Sequence, residues 1–216
     1  MLGAKERLGQ LLGLAAERRW SPLARELGDL VLYWPADYPD AMRPPIVALF
    51  ETALREADGE TQRLMAGRMA GRSDIPLKLM NVLYLVAPAP LRREILMRNE
   101  LAGETAAALM VDGPAILAAA RTRNGDFTGA LSRLTGLPRR VAAAILSDPS
   151  GEPLAVLCRG TNLDRASFSA VALLRGPEGL PLAVFDTVAP KAAAHLVADW
   201  RKTSEDTSHG HIRAAE

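Results

Sequence analysis

Two stretches, LSRLTGLPRRVAAAIL (131–146) and LCRGTNLDRASFSAVA (157–172), read as two copies of one unit. At an offset of 26 residues Leu131 aligns with Leu157, Arg133 with Arg159 and Thr135 with Thr161. Leu137 aligns with Leu163, Arg139 with Arg165 and Ala144 with Ala170. Each copy reads as helix, tight turn, helix. Gly136 and Asn162 hold the same turn position, and both residue types tolerate the positive φ that ends a helix. Two copies fall short of the roughly three that a solenoid needs. They do make a repeated αα-hairpin.

The same pattern extends upstream. In PPIVALFETALREA (44–57), Ile46, Leu49, Phe50, Ala53, Leu54 and Ala57 recur at helical spacing, with proline in the first turn. ETQRLMAGRMAGR (60–72) restarts a helix, with Leu64, Met65, Ala66 and Met69 inward and Arg63, Arg68 and Arg72 outward. Ser73-Asp74 before Ile75-Pro76 reads as an N-cap. Further helices open after Ala89-Pro90, Gly113-Pro114, Leu137-Pro138 and Glu152-Pro153. The run Leu180 to Phe185 has strand-like composition, but Pro181 weakens it. The expected fold is all-α: short antiparallel helix pairs stacked in a HEAT-like or α-solenoid-like way, with a small C-terminal helical subdomain as a variant. The organisation reads as a helical repeat region over 1–123, a second helical region over 124–202 and a disordered polar tail over 203–216.

Composition agrees. The chain has 216 residues, 49% hydrophobic and 24% charged, which is enough to bury a core. Alanine and leucine supply roughly a third of it, and both favour helix. A net charge of +1 removes any global argument for nucleic acid or an anionic membrane. Basic residues are nearly all arginine, Lys5, Lys78, Lys191 and Lys202 being the exceptions; genomic base composition accounts for that bias. One cysteine, Cys158, excludes an internal disulfide and a cysteine-based zinc site. Of three histidines, His209 and His211 fall in the polar tail. No metal site and no cofactor are expected. The N-terminal LGQLLGLAA is too short and interrupted for a signal peptide and reads as an amphipathic helix. With no membrane-spanning window, the expected location is the cytoplasm.

The chemistry-bearing candidates are arginines and aromatics. Five arginines lie between 121 and 140 against the single acid Asp126. Arg133, Arg139 and Arg140 flank the first turn; Arg159 and Arg165 flank the second. A helix-turn-helix over 131–146 would present Arg139 and Arg140 at the start of its second helix, where DNA-reading helices make contacts. The same shape is the unit of every αα repeat, and there the arginines cap helix ends or pair with acids. Tyr33, Trp34 and Tyr38 crowd the loop Tyr33–Pro39, either as partner anchors or as plugs of a helix seam. Gly67 and Gly71 in AGRMAGR require compensation by close helix packing. Cys158 reads as a buried thiol, and no sequence feature brings His195 to it. No P-loop, G-x-G-x-x-G, G-x-S-x-G or H-E-x-x-H occurs.

The segment 142–177 resembles a known family. Asp148-Pro149-Ser150-Gly151-Glu152 is followed by Ala155, Cys158 and Arg159, then by Arg165, Ala166 and Phe168. This run is similar to the C-terminal half of the bacterial family catalogued as domain of unknown function 2336. The final helix ending Asp199-Trp200-Arg201 is similar too. More loosely, Arg63 to Ala70 and the helices to 123 resemble its variable HEAT-like N-terminal half, so the likeness spans about 20–200. The resemblance implies an all-helical, repeat-like protein of adaptor or regulatory type. It supplies no catalytic residue.

The expected function is therefore non-enzymatic: a module that binds a protein partner, with a second copy of the chain as the other option. Contacts are expected from Arg133, Arg139, Arg140, Arg159 and Arg165, then Trp34 and Tyr38. DNA binding through 131–146 is the alternative. A small-molecule sensor or enzyme using an inter-helix pocket is the third reading.

Overall fold

A computed structural model describes residues 4–36, 38–102, 109–122, 125–177 and 180–209. Among these residues the fold is all-α, with thirteen α-helices, two 3-10 turns and no strand. The Leu180–Phe185 run is not a strand; its end forms the short helix α12 (Val184–Thr187). The chain folds as two compact units, Met1–Arg92 and Arg93–Glu216. The sequence pattern divides at 123, where breakers are dense. The compact second unit instead takes in the end of α6 (Ala89–Leu101) and all of α7 (Gly113–Arg121).

The first unit holds α1 (Ala4–Ala16), α2 (Trp20–Leu32), α3 (Arg43–Glu56), α4 (Gly59–Met69) and α5 (Leu77–Leu83). Helix α2 is central and packs on α1, α3 and α4. Gly28 makes the close approach: a Cβ there would lie 2.7 Å from Met65 Sδ. The AGRMAGR glycines do not, since a Cβ at Gly67 or Gly71 meets nothing. Gly71 instead takes φ 73° just past α4, the left-handed turn that stops a helix. Leu64 is 48% exposed rather than inward. Thr61, Met65 and Met69, at i, i+4, i+8, form the buried stripe, and Leu64 lies a step of about 100° off it. Nor does Asp74 cap α5: Arg72 takes its carboxylate at 2.9 and 3.1 Å, and Pro76 stands at the N-cap. Asp58 does cap α4, accepting from Thr61 N at 2.7 Å and from Ser21 Oγ at 2.6 Å. These bonds hold its carboxyl down to about 2.

The second unit adds α8 (Phe127–Thr135), α9 (Arg139–Ser147), α10 (Glu152–Gly160), α11 (Arg165–Arg175) and α13 (Pro190–His209). Helix α10 is its hub: residues 153–158 are all buried, and it packs on α9, α11, α12 and α13. Gly160 permits the α10–α13 crossing, because a Cβ there would sit 2.6 Å from the Ala193 carbonyl. Ala192, Ala193, Leu196, Val197 and Trp200 line the buried face of α13. The helix continues past Lys202 to His209, although that stretch reads as tail. No glycine or proline occurs there before Gly210, so nothing interrupts the i to i−4 ladder. Residues 210–216 lie outside the described residues.

Neighbouring helices are not all antiparallel. Leu163, just before α11, packs at Gly113, the first residue of α7. At the other end, Arg175 Nε donates to the Ala120 carbonyl at 2.7 Å. The starts and ends of α7 and α11 thus coincide, and the two helices run side by side in one direction.

Candidate partner-binding surface

The two hairpins α8–α9 and α10–α11 carry the sequence repeat into matching geometry. Thr135 Oγ1 donates to the Leu131 carbonyl at 2.6 Å, and Thr161 Oγ1 to the Leu157 carbonyl at 2.7 Å. Gly136 has φ 68° and Asn162 φ 56°. Arg139 and Arg165 each open the second helix, and each reaches a carboxylate. Arg139 forks onto Asp126 at 2.5 and 3.0 Å, and Arg165 Nε reaches Asp186 at 3.1 and 3.2 Å.

Asp126 is also the N-cap of α8, accepting from Gly129 N at 2.9 Å. The Arg139 guanidinium, then that amide, holds its carboxyl below the usual range, and Arg133 adds to the same field. Gly129 makes room, since a Cβ would meet Asp126 Oδ2 and lie 2.7 Å from Arg139 Nη1. Arg133 and Arg140 are exposed on the same hairpin. Arg159 is different. It is half-buried, its guanidinium lies 4.2 Å from the Phe185 ring centre, and its Nε donates to the Phe185 carbonyl at 3.2 Å. It clamps α10 to α12 from within the fold, while Arg133, Arg139, Arg140 and Arg165 face solvent.

In the first unit, Tyr38 is buried and meets half-buried Trp34 edge-on at 5.7 Å, with Arg43 over the Trp34 ring. Tyr33 is the exposed member, at 68%, with Arg72 over its ring at 5.8 Å. Asp37 of this loop lies outside the described residues. Cys158 is buried, and burial, with the Asp164 charge second, pushes its thiol up to about 12, so it carries no thiolate near neutral pH. Among the described residues no group of three His, Cys, Asp or Glu could hold a metal ion. No described helix is long and apolar enough to cross a membrane. A depression of about 340 Å³ lies between α1 and α2, lined by Leu11, Leu14 and the charged Arg7, Glu17, Arg19 and Glu26.

Two features of α11 lie away from the turn arginines. Arg175 also donates through Nη2 to the Thr122 carbonyl and lies 5.6 Å from the Phe127 ring, so it caps the C-terminus of α7 and ties α7, α8 and α11 together. The helix is also apolar on two sides. Phe168, Val171 and Ala172 face the core. Ala166, Ala170 and Leu173 recur at i, i+4, i+7 on the opposite side, joined by Leu174. Leu173 is 77% exposed and Leu174 48%. The signal was present in RASFSAVALLR, where only Arg165, the two serines and Arg175 are polar.

Residues 111–207 match the model of a bacterial family, DUF2336, described as an uncharacterised protein conserved in bacteria. The likeness read from 142–177 therefore holds over a wider segment, from the turn before α7 into α13. The looser likeness at Arg63 to Ala70 falls outside the DUF2336 match. No curated protein and no solved structure matches the chain. Both hairpins and the outward face of α11 lie inside the DUF2336 segment.

Proposed function

We propose that the chain is a cytoplasmic, non-enzymatic protein-interaction module of adaptor or regulatory type, built on a repeated αα-hairpin, and that a partner covers the outward face of α11. The observation that carries this reading is the Leu173–Leu174 pair, exposed on an ordered helix whose other side already packs in the core. A helix apolar on two opposite sides ordinarily has both sides covered. The repeat sharpens the point. At the same 26-residue offset Leu173 falls opposite Ser147, the last residue of α9, and Leu174 opposite Asp148, just past that helix, and both of these are polar. Exposed Arg133, Arg139 and Arg140 offer polar contacts on the α8–α9 hairpin, whereas Arg159 is committed to Phe185.

The test is site-specific photo-crosslinking in the native host from position 173, compared with position 64 on α4. Leu64 is also 48% exposed, but it sits in the first unit. A discrete heterologous adduct from 173 alone, reproduced with the purified partner, is the expected result. Adducts only between copies of the chain would replace the adaptor reading with self-association. Equal adducts from both positions would remove the α11 face from it.

DNA binding through α8–α9 has one observation in its favour: Arg139 and Arg140 stand exposed at the start of α9 after a three-residue turn. The fork of Arg139 onto Asp126 neutralises one of the two. Salt-steep affinity for unrelated duplexes, lost in an R139A/R140A variant, would reinstate this reading.

A further inference from the structure

We propose that the depression between α1 and α2 binds a short apolar peptide with free ends, its carboxylate at Arg7 and its ammonium at Glu17. The site belongs to the first unit, which the DUF2336 match leaves out, and goes beyond the protein-interaction reading. Arg7, Leu11, Leu14 and Glu17 recur at i, i+4, i+7 and i+10, so one face of α1 carries an apolar middle between two charged ends. Leu11, at 2% exposure, is deeply set. Glu26 of α2 stands 3.9 Å from Arg7, and Arg19, just before α2, stands 3.8 Å from Glu17. Both separations exceed a hydrogen bond. Among the described residues none of these four charged heads makes a side-chain hydrogen bond. Each end of the depression therefore offers an unused donor and an unused acceptor. Its volume of about 340 Å³ falls at the small end of the roughly 300–1,000 Å³ that ligand sites occupy.

Length and charge select the ligand. Arg7 and Glu17 lie about 15 Å apart along the axis of α1. A single amino acid reaches one end only. An extended chain advances about 3.3–3.6 Å per residue, so three to four residues span the depression. A guanidinium takes a carboxylate as a fork, and a carboxylate takes an ammonium. Arg7 is the least exposed of the four charged side chains and lies near the amino end of α1, where the helix dipole favours an anion. Glu17 follows the carboxyl end of α1, where a cation is favoured. A fatty acid or a nucleotide brings no ammonium to Glu17.

The experiment is isothermal titration of the full chain with trileucine, its N-acetyl form, its C-terminal amide and free leucine. Trileucine should bind at one site, each blocked form about fivefold more weakly, and free leucine more weakly than either. Arg7→Gln should bind trileucine and its amide alike, because the carboxylate no longer counts. Glu17→Gln should bind trileucine and its N-acetyl form alike, because the ammonium no longer counts. Both positions make only loose surface ion pairs, and circular dichroism checks that each variant stays helical. A purely structural loss would weaken all the peptides together and keep their ratios, and that result would overturn the proposal. Equal binding of free and blocked peptides, free leucine binding as tightly as trileucine, or no saturable binding would overturn it too.

Discussion

The hairpins α8–α9 and α10–α11 share a turn and differ in what surrounds it. Both bond a threonine hydroxyl one turn back, both pass through a left-handed residue, and both open the second helix with an arginine on a carboxylate. Leu131 and Leu157 are buried alike, as are Ile145 and Val171. Yet α10 is enclosed by four helices, and α8 packs on α7 and α9. Where α8 has half-buried Leu134, α10 has Gly160 against Ala193. Where α9 has Ala142, α11 has Phe168, stacked on Phe185 at 5.2 Å. Where α9 stops at Ser147, α11 runs on through two exposed leucines to Arg175. A local repeat therefore dictates a turn, and its neighbours decide whether each copy becomes a core or a surface.

The enclosed copy should be the more fragile. Gly160→Leu copies the residue of the first hairpin into the second and drives a side chain into the Ala193 backbone. It should cost more than about 4 kcal/mol in urea unfolding, whereas Leu134→Gly should cost about 2 kcal/mol. Equal costs would erase the contrast between hub and flank. Phe168→Ala follows, at about 3–5 kcal/mol, for a fully buried ring replaced by a cavity. Its mirror, Ala142→Phe, should cost about 1–3 kcal/mol through overpacking. Thermal and urea midpoints of the two single variants and of the double measure both.

The shared turn makes the opposite prediction. Thr135→Val and Thr161→Val each remove a buried hydroxyl donated one turn back, shared at Thr161 with the Cys158 carbonyl at 3.3 Å, and should cost about 1 kcal/mol apiece, equal in the two copies. A difference above about 1 kcal/mol would mean that the match in turn geometry is not a match in energy.

Acid dependence is weaker still. Asp126 and Asp164 each cap a helix, and hydrogen bonds hold both carboxyls below the ordinary 3.8: Arg139 chiefly for Asp126, the Ser167 side chain chiefly for Asp164. A lowered folded-state value means the charged form is favoured in the fold. That contribution is present above the ordinary 3.8 and fades as pH falls below it. Stability followed from neutral pH downward should flatten in Asp126→Asn, which loses the Arg139 pair. Asp164→Asn keeps a capping oxygen and should lose only the charge-dependent part.

The hairpins were legible because their determinants are local. Leu131 and Leu157, the threonines, Gly136 and Asn162, and the proline-opened helices all act within a turn or two. The all-α class followed from the same spacing. Leu64 and the AGRMAGR glycines were misread because helical periodicity fixes which residues share a face, not which face is covered. At α4 the covered face is that of Thr61, Met65 and Met69. Arg159 and Arg165 looked alike in sequence, yet a ring supplied by α12 separates them, and nothing near either arginine announces Phe185. The leucine pair of α11 was visible as composition, but its exposure depends on where α7 and α10 lie.

Whether a partner covers α11 is decided by hydroxyl-radical footprinting of the chain, alone and with the purified partner captured from position 173. Oxidation of Leu173 and Leu174 should fall on binding, while Leu12 and Leu64, exposed at 65% and 48% in the first unit, react unchanged. Protection at Leu12 or Leu64 with Leu173 still reactive, or no protection anywhere, would refute a docking face on α11.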